Sequence, residues 1–254
     1  KPREEYDSPA PLDFSGMVDD LLATFAPHLN SFSEPGLSGK YCQKHGLTPL
    51  GKTLMHELMA RGMLIDVAHL PQHALGEAYA LLEKADYPAM KTHGNSNGGR
   101  IYALGGLVGT RLGRCGDPKK PAKMGKSLAA HVAEAKSKGA YPAEALSFDL
   151  NGLAGGPRPR FGPDKGCSAP QANPITYPFA SYDGEVTFTQ PHLGEREVDF
   201  NNEGMLHIGL LPEVIEDARR DGVTDKALEP LFRSAEAYLR MWEKAQTRAK
   251  LLKR

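Results

Sequence analysis

Four short apolar runs, separated by segments with helical periodicity, constrain the fold of this 254-residue chain more than any other feature. The clearest run is Met63 to Ala68, in which apolar and polar residues do not alternate, as is typical of a strand that is buried on both faces. The other three runs cover residues 88–93, 105–110 and 144–149. Strands of this kind, alternating with helices, predict a parallel sheet with crossover helices.

The helices between and after these runs are predicted from their start and stop signals. Thr48 and Pro49 begin the first helix and Gly62 ends it. The other predicted helices run from Pro71 to about Lys84, from about Met124 to Lys138, from about Leu211 to Asp221, and from near Thr224 onwards, with a kink at Pro230.

Residues 151–204 interrupt this pattern because they are rich in glycine, proline and polar residues. One hairpin is predicted there, in which Tyr182 and residues 186–189 flank a turn at Asp183-Gly184. So long an irregular segment is usually a lid or a binding loop. We therefore expect four parts: an irregular segment 1–45, strand-helix units 46–150, an insertion 151–204 and C-terminal helices 205–254.

The composition gives no reason to expect a nucleic acid or an anionic membrane as a partner, since 31 basic residues balance 31 acidic ones. No apolar run approaches the roughly 18 residues of a membrane span, and the first residues do not resemble a secretory signal. The three cysteines, Cys42, Cys115 and Cys167, allow at most one internal disulfide, and the pairing stays open.

Side chains that can bind a metal follow three of the predicted strands. His69 follows the first strand, His93 ends the second and Asp149 ends the fourth. Because the carboxyl ends of parallel strands share one edge of a sheet, these side chains are expected to converge there. Two neutral imidazoles suit Zn²⁺, and a carboxylate could either bind the ion or take a proton from a metal-bound water. The alternative is that each is a hydrogen-bonded structural residue.

Two charged residues near these strand ends have more than one interpretation. Asp66 could orient an imidazole or an arginine, or it could form a salt bridge or a helix cap. Arg100 could bind a substrate carboxylate with two hydrogen bonds, or it could be an ordinary surface arginine. Three histidines on predicted helices are expected to face solvent: His56, His73 and His131.

Three segments carry a family resemblance: GLTPLGKTLMHELMARGMLIDVAHL (46–70), YPAMKTHGNS (87–96) and SFDLNGLAG (147–155). In combination they resemble the membrane-dipeptidase-like branch of the metal-dependent amidohydrolase superfamily. The chain is more similar still to secreted bacterial hydrolases of that branch. These carry a cysteine shortly before the first segment, at the position that Cys42 occupies here. The resemblance extends from about Tyr41 to Gln246.

The resemblance implies a (β/α)8 barrel with one or two metal ions, usually zinc, that hydrolyses amide bonds in dipeptides or related small molecules. It implies that His69 and His93 bind a metal, that Asp149 is the acid/base and that Arg100 binds the substrate. It also implies a secreted or periplasmic location.

The family's first metal site, an HxD pair and a bridging carboxylate, has no counterpart in residues 1–41. Only four of eight barrel strands are evident. We therefore expect the C-terminal half of a barrel, completed by a complementary N-terminal chain or fragment. Without that half, the chain would expose the apolar edge of a parallel sheet. The alternative function is a non-catalytic barrel, either a pseudoenzyme or a structural subunit of a larger assembly.

Overall fold

A computed structural model describes residues 45–93, 98–110, 115–116, 126–148, 150 and 156–253, and the backbone of residues 4–6, 41–43 and 124–125. The strands are β1 (Glu4–Tyr6), β2 (Tyr41–Gln43), β3 (Ile65–Asp66), β4 (Ala89–Lys91), β5 (Leu107–Thr110), β6 (Ala145–Leu146), β7 (Phe179–Ala180), β8 (Thr187–Phe188), β9 (His192–Leu193) and β10 (Arg196–Glu197). The helices are α1 (Pro49–Ala60), α2 (Gln72–Ala85), α3 (Gly99–Ala103), α4 (Met124–Ser137), α5 (Phe200–Glu203), α6 (Leu211–Arg220), α7 (Asp225–Phe232) and α8 (Ser234–Leu252), with a 3₁₀ turn at Ile208–Leu210.

The four apolar runs form one parallel sheet in the order β3-β4-β5-β6, with helices in the connections. The predicted α/β arrangement with a parallel sheet is therefore confirmed. Within the described ranges no further strand joins this sheet, and the complete eight-stranded barrel stays a prediction. Strands β1 and β2 form a separate parallel pair.

The predicted helices begin and end close to their sequence signals. Thr48 caps α1, because its hydroxyl accepts a hydrogen bond from the amide of Gly51 at 3.0 Å. A kink was predicted near Pro230. In the structure Pro230 lies within α7, and the break comes at Arg233, which separates α7 from α8.

One face of the sheet packs against the helices that connect its strands. Ile65 and Ala89, which are partners in the β3-β4 register, lie in a core with Met59 of α1 and Leu82 of α2. Tyr102 of α3 completes this core and is buried. On the other face, Leu107 and Met90 pack near Met241 of α8.

Helix α8 crosses the amino ends of the sheet strands. Three contacts define its path: the side-chain amide of Gln246 donates to the Gly62 carbonyl at 2.8 Å, Lys244 pairs with Asp86 at 2.8 Å, and the Arg240 guanidinium lies 4.3 Å from the centre of the Tyr141 ring. Gly62, Asp86 and Tyr141 precede β3, β4 and β6 respectively. The helix thus covers the amino ends of the strands, and the carboxyl ends lie at the opposite edge of the sheet, away from α8.

The described part of the irregular segment, residues 156–204, forms a second core with the C-terminal helices. Phe179, Val198 and Phe200 pack there against Val214 of α6 and Leu228 of α7. The predicted hairpin is confirmed as β7 and β8, while the β9-β10 hairpin around Gly194 was not predicted. The expectation that the segment acts as a lid stays a prediction.

Arg160 anchors this segment from a buried position. Its guanidinium donates to Asp217 at 2.8 Å, lies 3.5 Å from Asp221, and donates to the carbonyls of Ala172 and Asn173. A disulfide between Cys115 and Cys167, which lie 52 residues apart, resolves the pairing that the sequence left open.

Candidate functional site

His69 and His93 lie next to each other at the carboxyl ends of β3 and β4. Their ring centroids are 4.6 Å apart and the rings meet at 67°, in an edge-to-face arrangement. The strands are adjacent and parallel, which brings together two residues separated by 24 positions in the sequence. The structure thus places the two predicted metal ligands in contact, while metal binding itself stays a prediction.

The backbone of His69 has a left-handed conformation, with φ of 63°. Few residues other than glycine adopt this conformation, although histidine, asparagine and aspartate do so more often than most. The chain turns here directly after β3, and the amide of Leu70 donates to the carbonyl of Val67 at 3.4 Å. This turn sets the direction from which the His69 side chain leaves the strand end.

Asp66 connects the ends of the two strands that carry these histidines. Its Oδ1 accepts hydrogen bonds from the amides of Ala68 at 2.9 Å and Thr92 at 3.2 Å, and its Oδ2 accepts one from the Thr92 hydroxyl. These partners differ from the imidazole, arginine, salt bridge or helix cap considered from the sequence. In the described part of the chain, Asp66 instead fixes the residue that precedes His93.

Thr92 also accepts a hydrogen bond from the opposite edge of the sheet. The hydroxyl of Ser147, after β6, donates to the Thr92 carbonyl, and the Ser147 amide donates to the Thr110 carbonyl at 2.9 Å. The first contact passes over β5 at Gly109, where a Cβ atom would lie 2.8 Å from the Thr92 carbonyl oxygen and 2.7 Å from the Ser147 Cβ. Only a residue without a side chain leaves room for this bond.

Thr92, Gly109 and Ser147 were not singled out from the sequence. The available signal was weak, since each is one polar or small residue at the end of an apolar run. Asp66, Thr92 and Ser147 form a hydrogen-bonded row across the carboxyl ends of the strands, which passes over Gly109 and which we call the strand-end network. It fixes the backbone around His93, the residue after Thr92.

Asp149, the predicted acid/base, lies outside the described residues, and its role stays a prediction. Its neighbours Phe148 and Leu150 pack against the second core. Asp149 follows Ser147 by two positions, so the strand-end network reaches the segment from which its side chain would act.

Arg100 is engaged in a bidentate ion pair. Its Nε and Nη2 donate to the two carboxylate oxygens of Glu83 at 2.7 and 2.8 Å, and its guanidinium lies 4.3 Å from the centre of the Tyr79 ring. The hydrogen bonding between the two side chains lowers the pKa of Glu83 and raises the pKa of Arg100. Binding of a substrate carboxylate by Arg100, which stays a prediction, would require exchange of this partner.

Two imidazoles are donors of the kind that zinc accepts. Two nitrogen ligands of one tetrahedral zinc ion lie about 3.3 Å apart, given Zn–N distances of about 2.0–2.1 Å. Adjacent imidazoles with centroids 4.6 Å apart are compatible with that spacing. Within the described ranges no group of three histidine, cysteine, aspartate or glutamate side chains is close enough to hold an ion. Whether the pair forms part of a larger ligand set stays a prediction.

A second titratable cluster lies at the amino end of β6. Glu144 is fully buried, accepts a hydrogen bond from the Tyr102 hydroxyl, and has its Oε1 3.5 Å from Nδ1 of His131. Burial raises the pKa of Glu144 to about 7 and raises the pKa of Tyr102, whereas burial lowers the pKa of His131. The expectation that His131 faces solvent is wrong, since its side chain is only 16% exposed; His56 and His73 are exposed as predicted.

No described helix has the length and the apolar composition that a membrane span requires. In comparisons with known proteins, no protein-family model matches the chain and no curated protein matches it significantly.

Proposed function

We propose that this chain belongs to a metal-dependent hydrolase of the dipeptidase-like type, in which His69 and His93 bind a divalent ion, most suitably zinc. The substrate class is a dipeptide or a related small molecule with an amide bond. One observation carries the proposal: the two imidazoles meet at the carboxyl ends of adjacent parallel strands, with centroids 4.6 Å apart. This is the edge of a parallel sheet at which α/β enzymes place their chemistry.

The residues of the chain have distinct tasks in this proposal. A zinc ion at the pair would polarise the substrate carbonyl and lower the pKa of water. His69 and His93 bind through neutral imidazoles, and the strand-end network keeps the backbone around His93 fixed. Asp149 accepts the proton of the attacking water and returns it to the leaving amine. Arg100 binds the substrate carboxylate after release from Glu83.

The remaining ligands would come from a complementary N-terminal chain or fragment. Support for such a partner comes from α1, which precedes β3 and exposes Leu50 and Leu54 to 77% and 56%. Residues four positions apart share one face of a helix. An apolar pair of this kind beside a terminal strand of the sheet is suited to contact with further barrel units.

A secreted or periplasmic location is part of the proposal. The disulfide between Cys115 and Cys167 supports it, because disulfides persist mainly in oxidising compartments.

Metal analysis of the purified protein, with any partner that co-purifies, tests the function. We expect stoichiometric zinc and hydrolysis of dipeptides, both lost in His69→Ala and in His93→Ala. His56→Ala is the matched control, since His56 is exposed on α1 and should leave metal content unchanged. Full metal content and activity in both site variants would overturn the proposal.

A second candidate is a non-catalytic barrel that serves as a structural or binding subunit. It is favoured by the lack of a three-ligand group within the described ranges. The same measurements separate the candidates: a protein purified with its partner that holds no metal and hydrolyses no dipeptide is the structural subunit. A partner with an HxD pair after an apolar strand would instead support the enzyme.

A further inference from the structure

A cavity of about 290 Å³ lies between the β7-β8 hairpin, helices α6 and α7, and Leu146 of β6. Its walls are almost entirely apolar and include Phe179, Phe188, Ile215 and Leu231. Among the described residues that line it, neither His69 nor His93 appears. The cavity is open to solvent on the side where Ala180, Tyr182 and Phe232 are exposed, and concave apolar sites of this kind are where proteins bind small molecules.

Two aromatic side chains form the boundary between the cavity and solvent. Tyr182, at the hairpin turn, and Phe232, at the end of α7, both line the cavity and are each 44% exposed. Their rings stack with centroids 4.3 Å apart and an angle of 28°. The two residues come from separate elements, the hairpin turn and the end of α7.

The charged groups at the cavity wall neutralise one another. In the described part of the chain, the charged residues that line it are Glu216 and Arg219. Arg219 pairs with Glu216 at 2.8 Å and with Asp225 at 2.7 Å, and Arg220 pairs with Glu216 at 2.6 Å. A charged ligand would have to break these pairs or enter an apolar space without a counter-ion, which is unfavourable. An uncharged ligand meets neither obstacle.

We propose that this cavity is a binding site for an uncharged aromatic or branched aliphatic group of a small molecule, bordered by the stacked pair of Tyr182 and Phe232. An apolar cavity of about 150 Å³ accommodates benzene. The volume here is about 290 Å³, which leaves room for two fused rings. The inference is independent of the metal site and of the proposed hydrolase function.

Three naphthalene probes of nearly equal size test the chemical class: 2-naphthalenemethanol, which is neutral, 2-naphthoate, which is an anion, and 2-naphthylmethylammonium, which is a cation. Titrations followed by saturation-transfer NMR should show saturable binding of the neutral probe, with a dissociation constant at least about tenfold below those of the charged probes. No saturable binding, or equal binding of all three probes, would overturn the proposal.

Ala180→Trp tests the location. Ala180 lines the cavity but is exposed on a strand, so the larger side chain can fill the opening without disrupting the core. Glu185→Trp is the matched control, because Glu185 is exposed in the same hairpin and does not line the cavity. We expect Ala180→Trp to weaken binding of the neutral probe at least about tenfold, with unchanged thermal unfolding, and Glu185→Trp to have no effect.

Tyr182→Ser provides a second variant that adds no bulk, and it should accelerate dissociation of the neutral probe. Binding should persist in His69→Ala, which separates this site from the metal site. Unchanged binding in both Ala180→Trp and Tyr182→Ser would place the probe elsewhere and overturn the proposal.

Discussion

Asp66 accepts two hydrogen bonds from Thr92, one from the backbone amide at 3.2 Å and one from the hydroxyl. The two residues belong to the ends of neighbouring strands, and each lies close in sequence to one histidine of the pair. The spacing of His69 and His93 therefore depends on a contact in which neither histidine takes part.

Removal of this contact should destabilise the strand ends. Asp66→Ala and Thr92→Val should each lower the free energy of unfolding by about 1 kcal/mol, the usual contribution of an exposed hydrogen bond. Because the residues bind each other, the double variant should lose less than the sum of the single variants, with a coupling of about 0.5–1 kcal/mol in urea unfolding. Strict additivity would show that Asp66 and Thr92 act independently.

Gly109 is expected to tolerate no side chain. Gly109→Ala would place a Cβ 2.8 Å from the Thr92 carbonyl oxygen, and backbone atoms would have to move. A loss of about 1–3 kcal/mol of unfolding free energy is expected, as for other overpacked sites. Gly76→Ala is the matched control: Gly76 lies within α2 with open space around its Cα, so the change should stabilise by about 0.5–1 kcal/mol. Wild-type stability in Gly109→Ala would contradict the close approach of Ser147 to Thr92 over this glycine.

The buried carboxyl of Glu144 predicts a pH-dependent stability. Its pKa is about 7 in the folded protein, compared with 4.5 when unperturbed, because burial disfavours the charged form. The folded state thus binds more protons between pH 4.5 and 7, and the contribution of Glu144 to stability falls as the pH rises through this window.

Glu144→Gln removes this titration. Its stability relative to wild type should rise with pH across the window, by up to about 3 kcal/mol, and then stay constant. The lowered pKa of His131 acts in the opposite direction and Glu134 raises the pKa of both groups, so the comparison should be repeated with His131→Asn. Urea unfolding at several pH values measures the difference; a pH-independent difference would rule out titration of Glu144.

Arg160 should contribute far more to stability than a surface arginine. Arg160→Ala removes the guanidinium that pairs with the buried carboxylate of Asp217. The free energy of unfolding is expected to fall by about 3–5 kcal/mol. Arg196→Ala, which removes an exposed pair with Glu203, should change stability by less than about 1 kcal/mol. Thermal or urea unfolding compares the two. Similar losses in both variants would show that burial does not increase the contribution of the Arg160 pair to stability.

Features with local signals were predictable from the sequence. Thr48 and Gly62 mark the limits of α1, and Asp183-Gly184 marks a hairpin, because capping and turn geometry depend on a few neighbouring residues. The meeting of His69 and His93 followed from a general property of parallel sheets, in which equivalent strand ends are neighbours.

Features that depend on distant residues were not predictable. The bond from Ser147 to Thr92 joins residues 55 positions apart and requires the space left by Gly109. The burial of Arg160 depends on α6, whose carboxylates have no sequence signal that distinguishes them from surface residues. His131 was predicted to be exposed because it lies on a predicted helix, but it is next to Glu144, whose position depends on β6.

The path of α8 has a consequence for biosynthesis. Gln246 contacts Gly62 across 184 positions, so the amino ends of the strands stay uncovered until residues 234–252 have been made. A nascent chain that has not reached Ser234 presents Met90 and Leu107 without the helix that packs on them. Such an intermediate exposes apolar surface that favours aggregation until α8 has docked.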